Sequence, residues 1–311
     1  EVGFFIQDEW NVTPKLTVVP GIRVDSHSSG EEYATSVKVS DSAFPTTKFS
    51  KTTVNPRIAI KYELNPSLVL RANVGTGFRA PYGFSEDLHL CSGSPRVWKS
   101  SNLKGERAIS YNLSADYYAK KYQFSINIFR TNLKDKIQFS PADDEVKKFG
   151  YSYQWENVDD AYVQGVELGA KANLFRNFNA GINWTFNQGK FKHERADWSD
   201  PNDETVKEFP QRLQYAKDSR NISRFPAMTG DIDLDYTPGT WSFSLTSSLQ
   251  GKMYIDYNSE DDGATSKIKK TNTFMIFNCR AAKRFGTCTV YAGAKNIFSY
   301  IQDEKHTDDA A

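Results

Sequence analysis

The sequence predicts an all-β fold, namely an incomplete antiparallel up-and-down transmembrane β-barrel with short periplasmic turns and long extracellular loops. The first observation is that the predicted connections alternate strictly between short and long. The second is that apolar and polar residues alternate along the predicted strands. Tight turns at one end of the strands and long loops at the other are typical of barrels that span a membrane. The short connections are 11–15, 65–67, 120–121, 174–177, 237–240 and 286–287, and the long polar stretches are 26–53, 76–107, 134–160, 191–227, 257–272 and the chain after 299.

The alternation is clearest near residues 57–64, where Ile58, Ile60, Tyr62 and Leu64 occupy every second position. The predicted strands are about 9–12 residues long, which suits a tilted strand that crosses a bilayer, whereas globular strands are usually about 5–6 residues long. A half-buried sheet in a soluble β-sandwich also alternates. In a sandwich, however, there is no reason for the loops at one end of the strands to be longer than those at the other end. The barrel is therefore favoured, and the sandwich remains the alternative.

We expect about twelve strands, from a first strand near 3–10 that runs towards the periplasm to a last one near 288–298 that runs outward. The first and the last strand would each be an edge of the sheet, so these strands alone do not make a closed barrel. Unpaired backbone groups at such an edge cost several kcal/mol each in lipid. No basic and apolar leader precedes Glu1. We therefore interpret residues 1–311 as one piece of a longer barrel protein.

The composition excludes several classes of protein. The net charge of +1 gives no electrostatic reason to expect a nucleic-acid partner. No apolar run approaches the roughly 18 residues of a membrane-spanning helix, and the mean hydropathy is −0.60. No catalytic or nucleotide-binding motif is present, so we expect neither an enzyme nor a cofactor.

The three cysteines do not predict a disulfide framework. A two-residue turn at 286–287 would place Cys279 opposite Ala294, which leaves Cys279 and Cys288 poorly placed to bridge. Cys91 lies in a long loop and is either free or paired with a cysteine outside this chain.

Six short motifs follow one another along the chain, at 3–10 with 16–25, 55–57, 76–81, 101–106, 157–167 and 295–298. They read GFFIQDEW with LTVVPGIRVD, NPR, TGFRAP, SNLKGE, NVD followed by QGVE, and KNIF. In order and at this spacing they resemble the C-terminal part of the barrel of TonB-dependent outer-membrane receptors. Ser101 and Gly105 stand where that family usually has prolines.

The resemblance implies a barrel of about 22 strands that is plugged by an N-terminal domain. This chain would then supply roughly strands ten to twenty-one, so about 12 of 22 strands. The plug, the early strands and the last strand would lie outside it. It also implies active uptake of a scarce ligand across the bacterial outer membrane, driven by TonB acting on the plug.

An iron complex is the expected ligand, with a ferric siderophore first, haem second and cobalamin third. The other expected partners are TonB, through the missing plug segment, and outer-membrane lipid or lipopolysaccharide. The alternatives are a passive porin-like channel, which would lack a plug, and a soluble lectin-like β-sandwich.

The candidate ligand-binding residues lie in two long stretches and are Arg79, Tyr82, His89, Trp98, Tyr153 and Trp155. Aromatic rings at loop bases stack on flat ligands, but the membrane-interface girdle uses the same residues. His89 lies between the FRAP-like and NPNL-like boxes, where the resemblance implies an axial ligand if the receptor binds haem; the alternative is a loop histidine without a ligand. All four histidines, His27, His89, His193 and His306, are expected in outward loops.

Overall fold

The computed structural model describes residues 1–32, 43–82, 97–151, 153–193, 220–222, 224–258 and 266–301. Within these ranges the fold is almost entirely β. The strands are β1 Val2–Gln7, β2 Trp10–Thr13, β3 Leu16–Glu31, β4 Thr47–Asn65, β5 Leu68–Arg79, β6 Val97–Lys99, β7 Glu106–Tyr118, β8 Tyr122–Pro141, β9 Tyr153–Phe175, β10 Phe178–Phe191, β11 Met228–Tyr236, β12 Trp241–Gln250, β13 Tyr254–Asn258, β14 Ser266–Lys270, β15 Phe274–Phe285 and β16 Cys288–Ala294.

One antiparallel sheet contains nearly all of these strands, in the order β1-β3-β4-β5-β7-β8-β9-β10-β11-β12-β15-β16. This path has twelve strands, which confirms the count expected from the sequence. β2 continues β1 along the same neighbour β3, β6 pairs in parallel with β9, and β13 and β14 form a separate hairpin. β1 and β16 stand at the two ends of the order, so the described sheet is open, as expected for an incomplete barrel.

The short turns lie where the sequence predicts them, at 14–15, 66–67, 119–121, 176–177, 237–240 and 286–287. Three of them need a residue in the left-handed region, and they have Asn177, Gly239 and Gly286 there, with φ of 65°, 62° and 60°. The turn at 286–287 sets the register of the last hairpin. Cys279 lies opposite Ala294, as predicted, and Cys279 and Cys288 are free and exposed.

The strands extend further outward than the sequence predicts. β3 continues to Glu31 and β4 begins at Thr47, whereas a loop was expected over 26–53. β8 and β9 likewise enclose only 142–152 instead of 134–160. The expected loop boundaries are wrong because the hairpins continue to pair beyond the apolar band, as at Ser28 opposite Ser50. Polar residues occupy both faces there, so the alternation disappears while the backbone ladder persists.

A single helical turn, α1 Asp144–Lys147, lies between β8 and β9. Asp143 precedes it and accepts hydrogen bonds from the backbone N–H groups of Glu145 and Val146, so it is a regular N-cap. Among the described residues, no helix has both the length and the apolarity to cross a membrane.

The two faces of the sheet differ in chemistry. One face exposes large apolar side chains in regular rows, for example Ile58, Leu113, Phe124 and Ile128, each at least 44% exposed. No second sheet covers this face among the described strands, so the fold is a barrel wall and the β-sandwich alternative is wrong. The opposite face has polar pairs between neighbouring strands, which are Arg71 with Asp116, Asn112 with Asn73, Asn127 with Glu167 and Asn183 with Asp231.

Candidate functional site

A small buried core lies at the outer ends of the strands, at the base of the predicted extracellular loops. It consists of Tyr82, Leu103, Ile137 and Trp155, with Phe49 and Val97 packed against it. We call these six residues the loop-base core. Its members come from β4, the end of β5, β6, the segment before β7, β8 and β9, so residues far apart in the chain meet here. Two of the candidate ligand-binding residues, Tyr82 and Trp155, lie in this core.

Two of the motifs on which the resemblance depends are joined beside this core. The Lys104 N–H donates to Asn157 Oδ1 over 2.8 Å, and Asn157 Nδ2 donates to the Lys104 carbonyl over 3.0 Å. Asn157 Nδ2 also donates to the Asp135 carbonyl over 2.8 Å. Nearby, the Ile137 N–H donates to Glu106 Oε2 over 3.0 Å. The 101–106 and 157–167 motifs therefore attach the loop segment to the outer ends of β8 and β9.

The Phe78 ring from the TGFRAP segment lies directly over Gly105. A Cβ atom at Gly105 would stand 2.1 Å from Phe78 Cζ, which is far inside van der Waals contact. Glycine at this position, where the family usually has proline, thus leaves room for the aromatic ring. The same ring also lies 4.9 Å from the His27 ring and 6.0 Å from the Phe49 ring.

β6 connects the loop that follows β5 to two other elements. Trp98 lies opposite Gln154 of β9 and packs against a second small core of Ala142, Val146 and Tyr151. Lys99, which is 5% exposed, forms an ion pair of 2.5 Å with Glu31 at the end of β3. Lys99 is buried, whereas the Glu31 side chain is 23% exposed, so loss of the Glu31 carboxylate would leave a buried ammonium group without this partner.

The candidate ligand-binding residues have different environments. Tyr82 and Trp155 are buried, at 4% and 6% exposure, and Trp98 is half-buried. Burial raises the pKa of the Tyr82 hydroxyl, which donates to the Ser100 carbonyl over 2.8 Å. Arg79 is exposed at the end of β5, opposite Glu106. The backbone of Tyr153 pairs with Val97 and Pro141, and His89 lies outside the described residues.

His27 lies in β3, so the expectation that it belongs to a loop is wrong. It is 5% exposed, its Nε2 lies 3.2 Å from Thr53 Oγ1, and it was missed because the strand pairs as far as Glu31. The ligand atoms of Glu1, Asp25 and His27 lie within 4.8 Å of one another. Arg23 Nε donates to both Asp25 oxygens, over 2.7 and 3.0 Å, so a cation already neutralises this carboxylate and the group does not require a metal ion.

His193 follows β10 and, as expected, lies outside the strands. Its N–H donates to Asp159 Oδ2 over 2.7 Å, and its Nδ1 lies 3.0 Å from Asp159 Oδ1. Burial acts to raise the pKa of the Asp159 carboxyl, but the contacts from His193 act against it, and the resulting pKa is below the usual value. The third residue of the 157–159 motif thus fixes the start of the loop after β10. His306 lies outside the described residues.

Comparison with known proteins agrees with this geometry. The family model described as "TonB dependent receptor-like, beta-barrel" matches residues 1–297. The chain is 26% identical over 229 residues to the vitamin B12 transporter BtuB of Photobacterium profundum, with 73% of this chain and 30% of that protein covered. It is 27% identical over 204 residues to a ferric enterobactin receptor of Pseudomonas aeruginosa, with 60% of this chain and 24% of that protein covered.

Solved structures show the same fold. The copper transporter OprC superposes with a TM-score of 0.68 at 19% identity, over 95% of this chain and 41% of that one. The chain therefore spans less than half the length of these relatives. Three findings agree on the family. The motifs resemble those of the receptor barrels, the wall is a single sheet, and the family model matches residues 1–297. The chain belongs to the family of TonB-dependent receptor-like β-barrels, which are proteins of the bacterial outer membrane.

Proposed function

We propose that this chain is part of a TonB-dependent outer-membrane receptor that actively imports an iron complex. A ferric siderophore is the first choice, haem the second and cobalamin the third. The plug and the segment that contacts TonB would lie outside this chain, as would the remaining strands. In this proposal the chain supplies a lipid-facing wall, a polar lumen face and part of the extracellular mouth, and it catalyses no reaction.

The observation that carries the proposal is the family match over residues 1–297 together with the joined motifs at the mouth. Among the relatives, ferric enterobactin receptors recur in Pseudomonas aeruginosa and Escherichia coli, which supports a siderophore as the first choice. The Photobacterium relative is a vitamin B12 transporter, so cobalamin stays among the candidates.

We further propose that the ligand is received at the mouth above the loop-base core, by Arg79, Tyr82, His89, Trp98, Tyr153 and Trp155. Because Tyr82 and Trp155 are buried, their contribution would be to support the binding surface unless the loops rearrange. The exposed guanidinium of Arg79 suits an anionic ferric complex.

Uptake in a strain that lacks its own siderophore, haem and cobalamin receptors tests this function. The receptor containing this chain is expressed, and radiolabelled ferric enterobactin, haemin and cyanocobalamin are offered as three separate probes. We expect accumulation of ferric enterobactin that disappears when TonB is deleted or the proton gradient is collapsed. Accumulation that is independent of TonB would support the porin-like alternative instead, and uptake of another probe alone would reassign the ligand.

A second measurement concerns His89. If the receptor binds haem, addition of haemin to the purified protein should shift the haem absorbance band, and His89→Ala should weaken that shift. His193→Ala is a matched control, because that histidine is exposed and contacts Asp159. An unchanged spectrum in His89→Ala would remove His89 from the proposed site.

A further inference from the structure

The outer end of β5 leaves its neighbour β4, although both strands continue outward. The pairing between them ends at Arg57 opposite Gly75. The next residue of β4 is Pro56, whose backbone faces β5, because its carbonyl accepts a hydrogen bond of 3.1 Å from the Thr76 hydroxyl. Proline has no N–H to donate, so the ladder cannot continue with its usual pair of hydrogen bonds at this position. We call residues 76–82, which follow this point, the inward arm.

The inward arm lies on the lumen side of the hairpin formed by β3 and β4. Its Phe78 ring lies 6.0 Å from the Phe49 ring of β4 and 4.9 Å from the His27 ring of β3, although β4 separates β3 from β5 in the sheet. Side chains alternate along a strand, so His27 shares the polar face of β3 with Asp25, whereas Phe78 shares the apolar face of β5 with Val74. The apolar face of the arm therefore packs on the lumen-facing side of β3.

Alternate residues on this face of β3 hold the chain that follows the end of the ladder. Beyond His27, Ser29 Oγ donates a hydrogen bond of 2.7 Å to the carbonyl of Pro81, which is itself buried. The third residue of the row, Glu31, forms the ion pair with Lys99 of β6. This row of β3 therefore supplies the support that the ladder with β4 does not provide.

Arg79 is the one exposed residue of the inward arm, and it lies between Phe78 and Pro81, the two residues that β3 supports. On its other side the arm pairs with β7, where Arg79 lies opposite Glu106. Because side chains alternate along β5, Arg79 faces the lumen, as Arg71 does. The supports on β3 therefore determine how far the Arg79 guanidinium projects into the mouth.

We propose that His27 and Ser29 are positioning residues for ligand binding. They hold the inward arm on the lumen side of β3 and thereby present the Arg79 guanidinium to an anionic ferric complex. This inference rests on the proposed function, in which Arg79 contacts the ligand. Neither positioning residue contacts the ligand itself, because His27 is 5% exposed and the Ser29 hydroxyl donates to Pro81. The role gives His27 a function that requires no metal ion.

Binding of radiolabelled ferric enterobactin to the purified full-length receptor tests this role. Ser29→Ala should weaken binding about two- to tenfold, the effect of losing one ordinary hydrogen bond. Ser28→Ala is the matched control, because this neighbouring serine is exposed on the other face of β3. Ser29→Thr keeps the hydroxyl and should bind as the unaltered receptor does. Unchanged binding in Ser29→Ala would overturn the proposal.

A double-mutant cycle separates positioning from general support of the mouth. If Ser29 acts through Arg79, Ser29→Ala should cause no further loss of binding in a receptor that already has Arg79→Gln. An equal loss in both backgrounds would show that Ser29 does not act through Arg79 and would refute the positioning role. His27→Ala should behave as Ser29→Ala does. If His27→Ala does not assemble, Ser29→Ala, which removes a single hydroxyl group, still decides between the outcomes.

Limited trypsin digestion measures the position of the arm without a ligand. Trypsin cleaves after arginine, and mass spectrometry detects the new N-terminus at Ala80. Ser29→Ala should be cleaved there faster than Ser28→Ala or the unaltered receptor, because a released arm fits the protease more readily. Equal cleavage of the three proteins would refute the placement of the arm by Ser29. Failure of the unaltered receptor to bind ferric enterobactin would refute the proposed function instead, and the digestion would still decide on the role of Ser29.

Discussion

The amide of Asn157 holds the backbone of Lys104 by both of its polar groups, over 2.8 Å to the N–H and 3.0 Å to the carbonyl. These residues are 53 positions apart. A side-chain amide can make with one peptide unit the two hydrogen bonds that a neighbouring strand would make. The segment before β7 is therefore held on β9 without backbone pairing between them.

Asn157→Ala should release the segment around Lys104. The change leaves the Lys104 N–H and the carbonyls of Lys104 and Asp135 without this partner. Because these groups are exposed or half-buried, water can partly replace the amide, and the cost should be below the about 1–3 kcal/mol of a fully buried group. Hydrogen exchange should show faster exchange at 102–106, while β11 and β12 are unaffected. Asn112→Ala is the matched control, because Asn112 donates one bond to the Asn73 side chain. Equal exchange in both variants would contradict a fixing role for Asn157.

Gly105→Ala should destabilise the mouth because its methyl group would collide with the Phe78 ring. Overpacking of this kind costs about 1–3 kcal/mol. Gly77→Ala is the control, because a Cβ there would lie 3.8 Å from the Ala108 Cβ, an ordinary contact. Thermal unfolding of the single variants and of Gly105→Ala/Phe78→Leu measures the effect. We expect the double variant to recover part of the loss, and no recovery would mean that the ring is not the cause.

Lys99→Met should cost more stability than the double change Lys99→Met/Glu31→Leu. Removal of Lys99 leaves the Glu31 carboxylate without this partner, and because that side chain is 23% exposed the cost should be below the about 3–5 kcal/mol of a fully buried pair. Removal of both partners leaves two apolar side chains in the same space. The measurement is a double-mutant cycle on the unfolding midpoint in guanidinium chloride. Additive effects of the two single changes would show that the pair is not coupled.

The contact between Asp159 and His193 should weaken in acid. The pKa of the Asp159 carboxyl in the folded protein is below its usual value. Its contribution to the stability of this segment is therefore complete above a pH of about 3.9. That contribution is lost as the pH falls through the lower pKa of the folded state. Limited pepsin digestion between these limits should cut the segment after β10 increasingly as the pH decreases. In Asp159→Asn this dependence of the cutting on pH should be lost. A variant that shows the same pH profile as the unaltered protein would refute the assignment.

The sequence by itself determined the membrane-crossing part of this protein. Alternation at Ile58, Ile60 and Tyr62 identified the lipid-facing side, and the turn at 286–287 was enough to place Cys279 opposite Ala294. These features are local, because side-chain period and turn length set the register of each hairpin.

Only the tertiary structure decided the arrangement of the mouth. Beyond the apolar band the alternation ends, so the strand around His27 could not be distinguished from a loop, although its backbone pairs as far as Glu31. The burial of Tyr82 against Trp155 and the bonds from Asn157 to Lys104 join residues that are distant in the chain. No periodic pattern encodes such contacts, because they depend on how neighbouring hairpins lean towards one another once the wall has formed.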